Sequence, residues 1–239
     1  FNKALQRCQI FTTRETMQLL EEILSTSFER RRQYHTVSLE DPKWLVKGDE
    51  IPYDVIDVND SRMIGDGKYK EKLTLLPSSH MLGACGVQLT TPDGITIGYS
   101  GDFSSDDKPP QCDILIIDAT HGSPQFNKKN TDEESLERRL LDLVNTKFNT
   151  GKSVIIHAHR GKLQELMSII SSSSEIPETA KFFTDEINAR ITKVYNKYGF
   201  DIRDLSTDYE DKDFHLTTDN PFIEFTSGAK ERDYEEKGL

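Results

Sequence analysis

Hydrophobic positions near the start of the chain predict a short strand followed by a helix. The apolar run Gln9-Ile10-Phe11 indicates a strand. Thr12 and Glu15 then have the spacing of a capping box, with Thr12 as the N-cap. Apolar side chains recur after this box at helical spacing, at Met17, Leu20, Ile23 and Leu24.

Residues 51–122 read as a succession of strands. Alternating or continuous apolar runs predict strands at 72–77, 86–89 and 95–99, and the composition of 91–94 predicts a turn between the last two. The run from Cys112 to Asp118 is continuously apolar in its middle, which is typical of a buried strand.

After Gly122 the pattern becomes an alternation of strands and helices. Helices are predicted at 131–148, 162–170 and 186–197, and strands at 153–156, 182–184 and 222–225. Strands that alternate with helices through short connections indicate a parallel α/β layer. The sequence therefore predicts a domain boundary near Gly122.

Composition narrows the class of protein. The chain has 239 residues, 35% of them hydrophobic and 30% charged, with a net charge of −11. This excludes a collagen, a disulfide scaffold and a membrane bundle, and no secretion signal is visible. Three dispersed cysteines indicate reduced thiols, so we expect an intracellular, cytoplasmic protein, nuclear if eukaryotic. The net negative charge argues against general binding of polyanions but allows one local basic strip that binds nucleic acid.

Four polar residues stand at the carboxyl ends of predicted strands: His80, Asp102, Asp118 and His121. Such positions present reactive groups to a cleft. An imidazole with a carboxylate is a normal half-set of ligands for zinc or manganese. Taken singly, each residue is more often a hydrogen-bonded core or turn residue, and their spacing alone does not define a metal site.

Three stretches taken in order resemble the metallo-β-lactamase-fold nucleases of the β-CASP group, which include the endonuclease of pre-mRNA cleavage and polyadenylation, its archaeal relatives and ribonuclease J. The stretches are Leu76-Pro77-Ser78-Ser79-His80-Met81-Leu82-Gly83-Ala84, Gly101-Asp102-Phe103-Ser104 and Asp113-Ile114-Leu115-Ile116-Ile117-Asp118-Ala119-Thr120-His121-Gly122. The resemblance implies an α/β fold. Residues 1–122 would form part of a metallo-β-lactamase αββα sandwich, and residues 123–239 an inserted parallel α/β β-CASP domain.

The resemblance also implies chemistry, namely hydrolysis of a phosphodiester bond in single-stranded RNA or DNA. His80 would ligate one metal ion and Asp102 would bridge two zinc ions, with manganese as the alternative metal. Asp118 would orient a catalytic histidine. The helix start at 161–166 and the strand at 222–228 also resemble the family, and Arg160 and Lys162 make a candidate phosphate contact beside a helix N-terminus.

The chain also departs from the family pattern. The His-x-His-x-Asp-His motif is absent, as are two downstream histidine motifs, and we expect the first to lie before Phe1 in a longer parent. The 239 residues alone are then expected to be inactive, because zinc needs three or four protein ligands. Asp118 replaces the commoner Glu, and His121 replaces a Tyr. A packing or hydrogen-bonding role is favoured for His121 over a polar role in the cleft.

Alternatives remain open at this stage. The chain could be an inactive scaffold of the group that binds RNA or a partner protein, and a small-molecule metallo-hydrolase is disfavoured by the inserted α/β layer. The pair His157 and His159 has strand spacing, but a second metal site there is disfavoured. As partners we expect single-stranded nucleic acid and no membrane, with a homodimer or a processing-complex subunit as candidate assemblies.

Overall fold

The computed structural model describes residues 10–23, 53–104, 107–120, 133–207 and 221–227. The chain divides into two compact units, residues 1–127 and 128–239. The basic run at 29–32, His121 and Gly228 lie outside the described residues. No helix within the described ranges is long and apolar enough to cross a membrane.

The first unit begins with a strand and a helix, as the sequence predicts. Strand β1 (Ile10–Thr12) pairs in parallel with β2 (Tyr53–Val55), and helix α1 covers residues 14–23. The predicted cap is wrong by one residue. Thr12 still belongs to the strand, where it pairs with Val55, so Thr13 takes the N-cap position and its hydroxyl accepts from the Thr16 amide at 3.2 Å.

A five-stranded sheet forms the body of the first unit. Its strands are β3 (Ser61–Ile64), β4 (Glu71–Pro77), β5 (Cys85–Thr90), β6 (Thr96–Tyr99) and β7 (Ile114–Ile116), in that spatial order. Neighbours are antiparallel except β6 and β7, which are parallel. The predicted turn is confirmed, since the Gly94 amide donates to the Thr91 carbonyl at 3.0 Å. Ile56, Leu73 and Leu75 are buried at the centre of the unit's core.

The prediction of a buried strand at 112–118 is wrong in its burial. Strand β7 forms, but it lies at the edge of the sheet. Ile114 to Ile117 are each 42–54% exposed. A continuous apolar run cannot distinguish an edge strand from a central one, because the pattern does not show which neighbours cover it.

The second unit is the parallel α/β layer that the alternation predicts. Four parallel strands lie in the order β10 (Leu205–Ser206), β9 (Lys181–Thr184), β11 (Phe222–Thr226), β8 (Val154–His157). Among the described residues of this unit, three helices accompany the strands, α2 (Glu133–Asn149), α3 (Lys162–Ser172) and α4 (Glu186–Lys197). Strands β7 and β8 belong to different sheets.

The core of the second unit is aromatic. Phe182 contacts Phe225 at 5.3 Å between ring centroids, and Phe183 contacts Phe222 at 5.4 Å, both edge to face. On α2, Val144 is buried while its neighbour Leu143 is 58% exposed.

Candidate functional site

Two of the residues singled out by the sequence meet in the first unit. His80 lies in the loop after β4 and Asp102 in the loop after β6. His80 Nε2 is 3.7 Å from Asp102 Oδ2. Their side chains are 45% and 67% exposed, so solvent or a ligand can reach both. We call this arrangement the His80–Asp102 pair.

A single carboxylate, Asp107, connects the loops that carry the pair. It accepts hydrogen bonds from the Ser79 amide at 2.8 and 3.0 Å, from the Ser104 amide at 2.9 Å and from the Ser78 hydroxyl at 3.2 Å. The Ser78 hydroxyl also donates to the Asp102 carbonyl at 3.0 Å. Asp107 therefore fixes the position of the loop before His80 relative to the loop after Asp102.

These hydrogen bonds govern the charge of Asp107. Slight desolvation acts to raise its pKa, but the bonds from Ser104, Ser79 and Ser78 outweigh it, so the pKa of Asp107 lies below its usual range. The carboxylate is ionised at neutral pH and keeps its role as acceptor.

The loop after His80 is fixed by the start of α1. The hydroxyls of Thr13 and Thr16 both donate to the Gly83 carbonyl at 2.9 Å. Gly83 has φ +83°, and a Cβ there would lie 2.6 Å from Thr16 Oγ1 and 2.7 Å from the Thr16 amide nitrogen. Only glycine fits this close approach, so the N-terminal helix holds the loop that presents His80.

The hydrogen-bond partners of Asp118 are Ser100 and Thr120, not His80 or Asp102. Its amide donates to Ser100 Oγ at 2.9 Å, and its carboxylate accepts from the Thr120 hydroxyl at 2.7 Å and the Thr120 amide at 3.2 Å. A carboxylate held by its own turn is oriented locally. Across the described ranges, no three or more His, Cys, Asp or Glu side chains group as a metal site requires. The structure thus brings His80 and Asp102 together, and Asp118 does not complete a three-residue group with them.

The residues proposed for phosphate contact lie in the second unit, beside the start of α3. Arg160 and Lys162 are both exposed, but Lys162 Nζ lies 2.5 Å from Glu165 Oε1. That ion pair competes with a phosphate for the lysine, so Arg160 is the better candidate. His157 and His159 are exposed and belong to no metal-type group of described residues.

The metal implied by the resemblance can be tested against these donors. An imidazole and a carboxylate fit zinc or manganese in kind. They do not fit in number, because the pair supplies two donors and zinc takes three or four from protein. The pair alone is therefore an incomplete metal site.

Sequence reasoning missed Asp107 as a member of the site. The available signal was its position, five residues after Asp102 in a loop that returns towards the serines before His80. An acidic side chain in such a loop is a natural acceptor for unpaired backbone amides.

Comparison with known proteins relates the chain to a class of enzymes. An RNase J-like protein of Methanocaldococcus jannaschii is 29% identical over 140 residues, which cover 53% of this chain and 32% of that protein. Endoribonuclease YSH1 of Kluyveromyces lactis is 24% identical over 172 residues, 64% of this chain and 21% of that protein. These similarities relate the chain to nucleases and support the relationship to the β-CASP group. The chain spans a third or less of the nucleases it matches.

A closer similarity gives the family. An uncharacterized protein in the lig 3′ region of Acidianus ambivalens is 35% identical over 132 residues, covering 54% of this chain and 90% of that protein. The chain belongs to the same family as this Acidianus protein. No protein-family model matches the chain.

A solved structure shares the fold. The crystal structure of a protein of unknown function from Enterococcus faecalis covers 95% of this chain and 55% of its own, with a TM-score of 0.56 and 14% identity. At this identity the match concerns the fold alone.

Proposed function

We propose that this chain is part of a metal-dependent nuclease that hydrolyses phosphodiester bonds of single-stranded nucleic acid in RNA processing. The observation that carries the proposal is the His80–Asp102 pair, an exposed imidazole and carboxylate 3.7 Å apart in a chain related to nucleases. In this proposal residues 1–122 are a partial metallo-β-lactamase-like domain and residues 123–239 a β-CASP-like α/β domain.

Each residue of the site has a proposed role. His80 and Asp102 would be two of the ligands of a two-zinc centre, with manganese as the alternative metal. When bound, the metal would supply charge that activates a water molecule and stabilises the phosphate. Asp118 would orient a catalytic histidine, and Asp107 holds the loops that carry His80 and Asp102 in register.

Nucleic-acid affinity in an acidic protein must come from a few local cations. Arg160 is exposed next to the N-terminus of α3, where backbone amides add partial positive charge. We propose Arg160 as the main phosphate contact of this strip, with Lys162 as a secondary one because Glu165 already neutralises it.

The test is metal-linked binding of a labelled single-stranded RNA of about 20 nucleotides. Fluorescence anisotropy is measured against increasing Mn²⁺ for the wild-type chain and for Asp102→Asn, with the duplex of the same sequence as a competitor. We expect Mn²⁺ to strengthen binding of the single strand to the wild type and to have a much smaller effect on Asp102→Asn.

A matched control separates metal binding from net charge. Asp113→Asn also neutralises an exposed carboxylate of the first unit, but one that accepts hydrogen bonds from Thr96 at the β6–β7 edge. It should respond to Mn²⁺ as the wild type does. Identical Mn²⁺ dependence for wild type and Asp102→Asn would contradict the proposal.

A further inference from the structure

A pocket of about 120 Å³ lies in the first unit next to the His80–Asp102 pair. Its walls are mostly apolar and include Leu76, Phe103, Pro110 and Ile117. No role proposed above uses these side chains.

The size and lining of the pocket select a single flat ring. A dry apolar cavity of about 150 Å³ accepts one benzene molecule, so this pocket holds one ring and little more. Phe103 is 42% exposed. A partly exposed aromatic wall is the usual platform on which single-stranded nucleic acids stack a base.

The surroundings of the pocket connect it to the proposed site. Ser78 lines the pocket, and its hydroxyl donates to the carbonyl of Asp102. The ionised Asp107 and the exposed Lys108 also border it, so their charges offset each other. A ring in the pocket would lie beside the proposed reaction site, and the proposed substrate, a single-stranded nucleic acid, supplies such rings as its bases.

We propose that this pocket is a nucleobase subsite, in which the base of a nucleotide next to the reacting phosphate stacks on Phe103. The inference rests on the proposed function, whose substrate it places in the first unit. Few polar groups face the ring, so the subsite accepts a single-ring base and does not distinguish one pyrimidine from another. Stacking of this kind is tolerant of sequence.

The experiment compares mononucleotides that share a phosphate and differ in the ring. Cytidine 5′-monophosphate, uridine 5′-monophosphate and ribose 5-phosphate are titrated into the isotope-labelled full chain without metal, and methyl and aromatic signals of Ile117 and Phe103 are followed by NMR. We expect both nucleotides to shift these signals, with ribose 5-phosphate binding at least about 5-fold more weakly, the lower end of base–aromatic stacking.

Substitutions then locate the ring. Phe103→Leu keeps apolar volume but removes the aromatic face, and should lower nucleotide affinity to that of ribose 5-phosphate. Tyr99→Leu is the matched control, because Tyr99 is 48% exposed on β6 and does not line the pocket. It should leave nucleotide affinity unchanged.

Three results would overturn the inference. The first is equal affinity of ribose 5-phosphate and the nucleotides, and the second is an equal effect of Phe103→Leu and Tyr99→Leu on nucleotide affinity. The third is binding of N-acetyltyrosine amide in place of any nucleotide, which would assign the pocket to a protein side chain. Because this readout uses neither metal nor RNA cleavage, its failure leaves the Mn²⁺-linked binding of single-stranded RNA intact. Conversely, nucleotide binding without any RNA binding would remove the proposed function and keep the pocket.

Discussion

Replacing Asp107 by alanine should both destabilise the first unit and disturb the His80–Asp102 pair. The substitution removes the acceptor of three donors, the amides of Ser79 and Ser104 and the hydroxyl of Ser78. Water can replace part of this interaction, because the site is only partly buried, so each hydrogen bond contributes at the low end of about 0.5–1.5 kcal/mol. We expect the free energy of unfolding to fall by about 1.5 kcal/mol.

The assay is urea unfolding at pH 7 in metal-free buffer, combined with the NMR signals of the His80 ring. Asp113→Ala is the matched control, since Asp113 accepts from the Thr96 amide and hydroxyl at 2.8 and 2.7 Å but touches neither loop of the pair. Asp107→Ala should shift the ring signals of His80, and Asp113→Ala should not. Unchanged stability together with unchanged His80 signals in Asp107→Ala would refute the positioning role.

Three further predictions concern the pH dependence of Asp107, the close approach at Gly83 and the phosphate contact of Arg160. Because the pKa of Asp107 is lowered, the stability that its carboxylate contributes is fully present above the ordinary carboxyl pKa of about 3.9 and is lost as the pH falls through the folded-state value. Urea midpoints of wild type and Asp107→Asn should therefore differ at pH 7 and converge below about pH 4. A difference between the two midpoints that stays constant with pH would contradict this. Gly83→Ala should cost more stability than Gly94→Ala, because both positions have positive φ but only at Gly83 would the Cβ meet Thr16 at under 3 Å; equal urea midpoints would argue against the close approach. Arg160→Ala should reduce the slope of log K against log salt for single-stranded RNA by roughly 0.7, and Lys162→Ala by less; an unchanged slope for Arg160→Ala would place the RNA elsewhere.

Much of the fold follows from local pattern. Helix α4 begins and ends where the sequence predicts, because Asp185 caps it by accepting from the Asn188 amide and its apolar face repeats at helical spacing. The sequence predicts helix α1 in the right place but puts its N-cap one residue early, at Thr12 instead of Thr13. The strand pairing of Thr12 with Val55 decided the cap, and a pairing more than 40 residues distant leaves no local signal.

The candidate site was predictable in part. His80 and Asp102 were singled out as strand-end residues within two resembling motifs, and the structure places them 3.7 Å apart. Asp118 was expected in the same group, yet its carboxylate is turned to Thr120, two residues along the chain. Asp107 was missed, because its role depends on two loops meeting in space.

Paramagnetic NMR with Mn²⁺ tests most directly whether the His80–Asp102 pair contributes to a metal centre. A two-donor site binds weakly, but Mn²⁺ at a small fraction of the protein concentration broadens the signals of whichever nuclei it visits. We expect the His80 ring and the Asp102 amide to broaden first, and His80→Gln or Asp102→Asn to abolish this broadening. Broadening that begins at the exposed His157 or His159, or that persists unchanged in both variants, would contradict it.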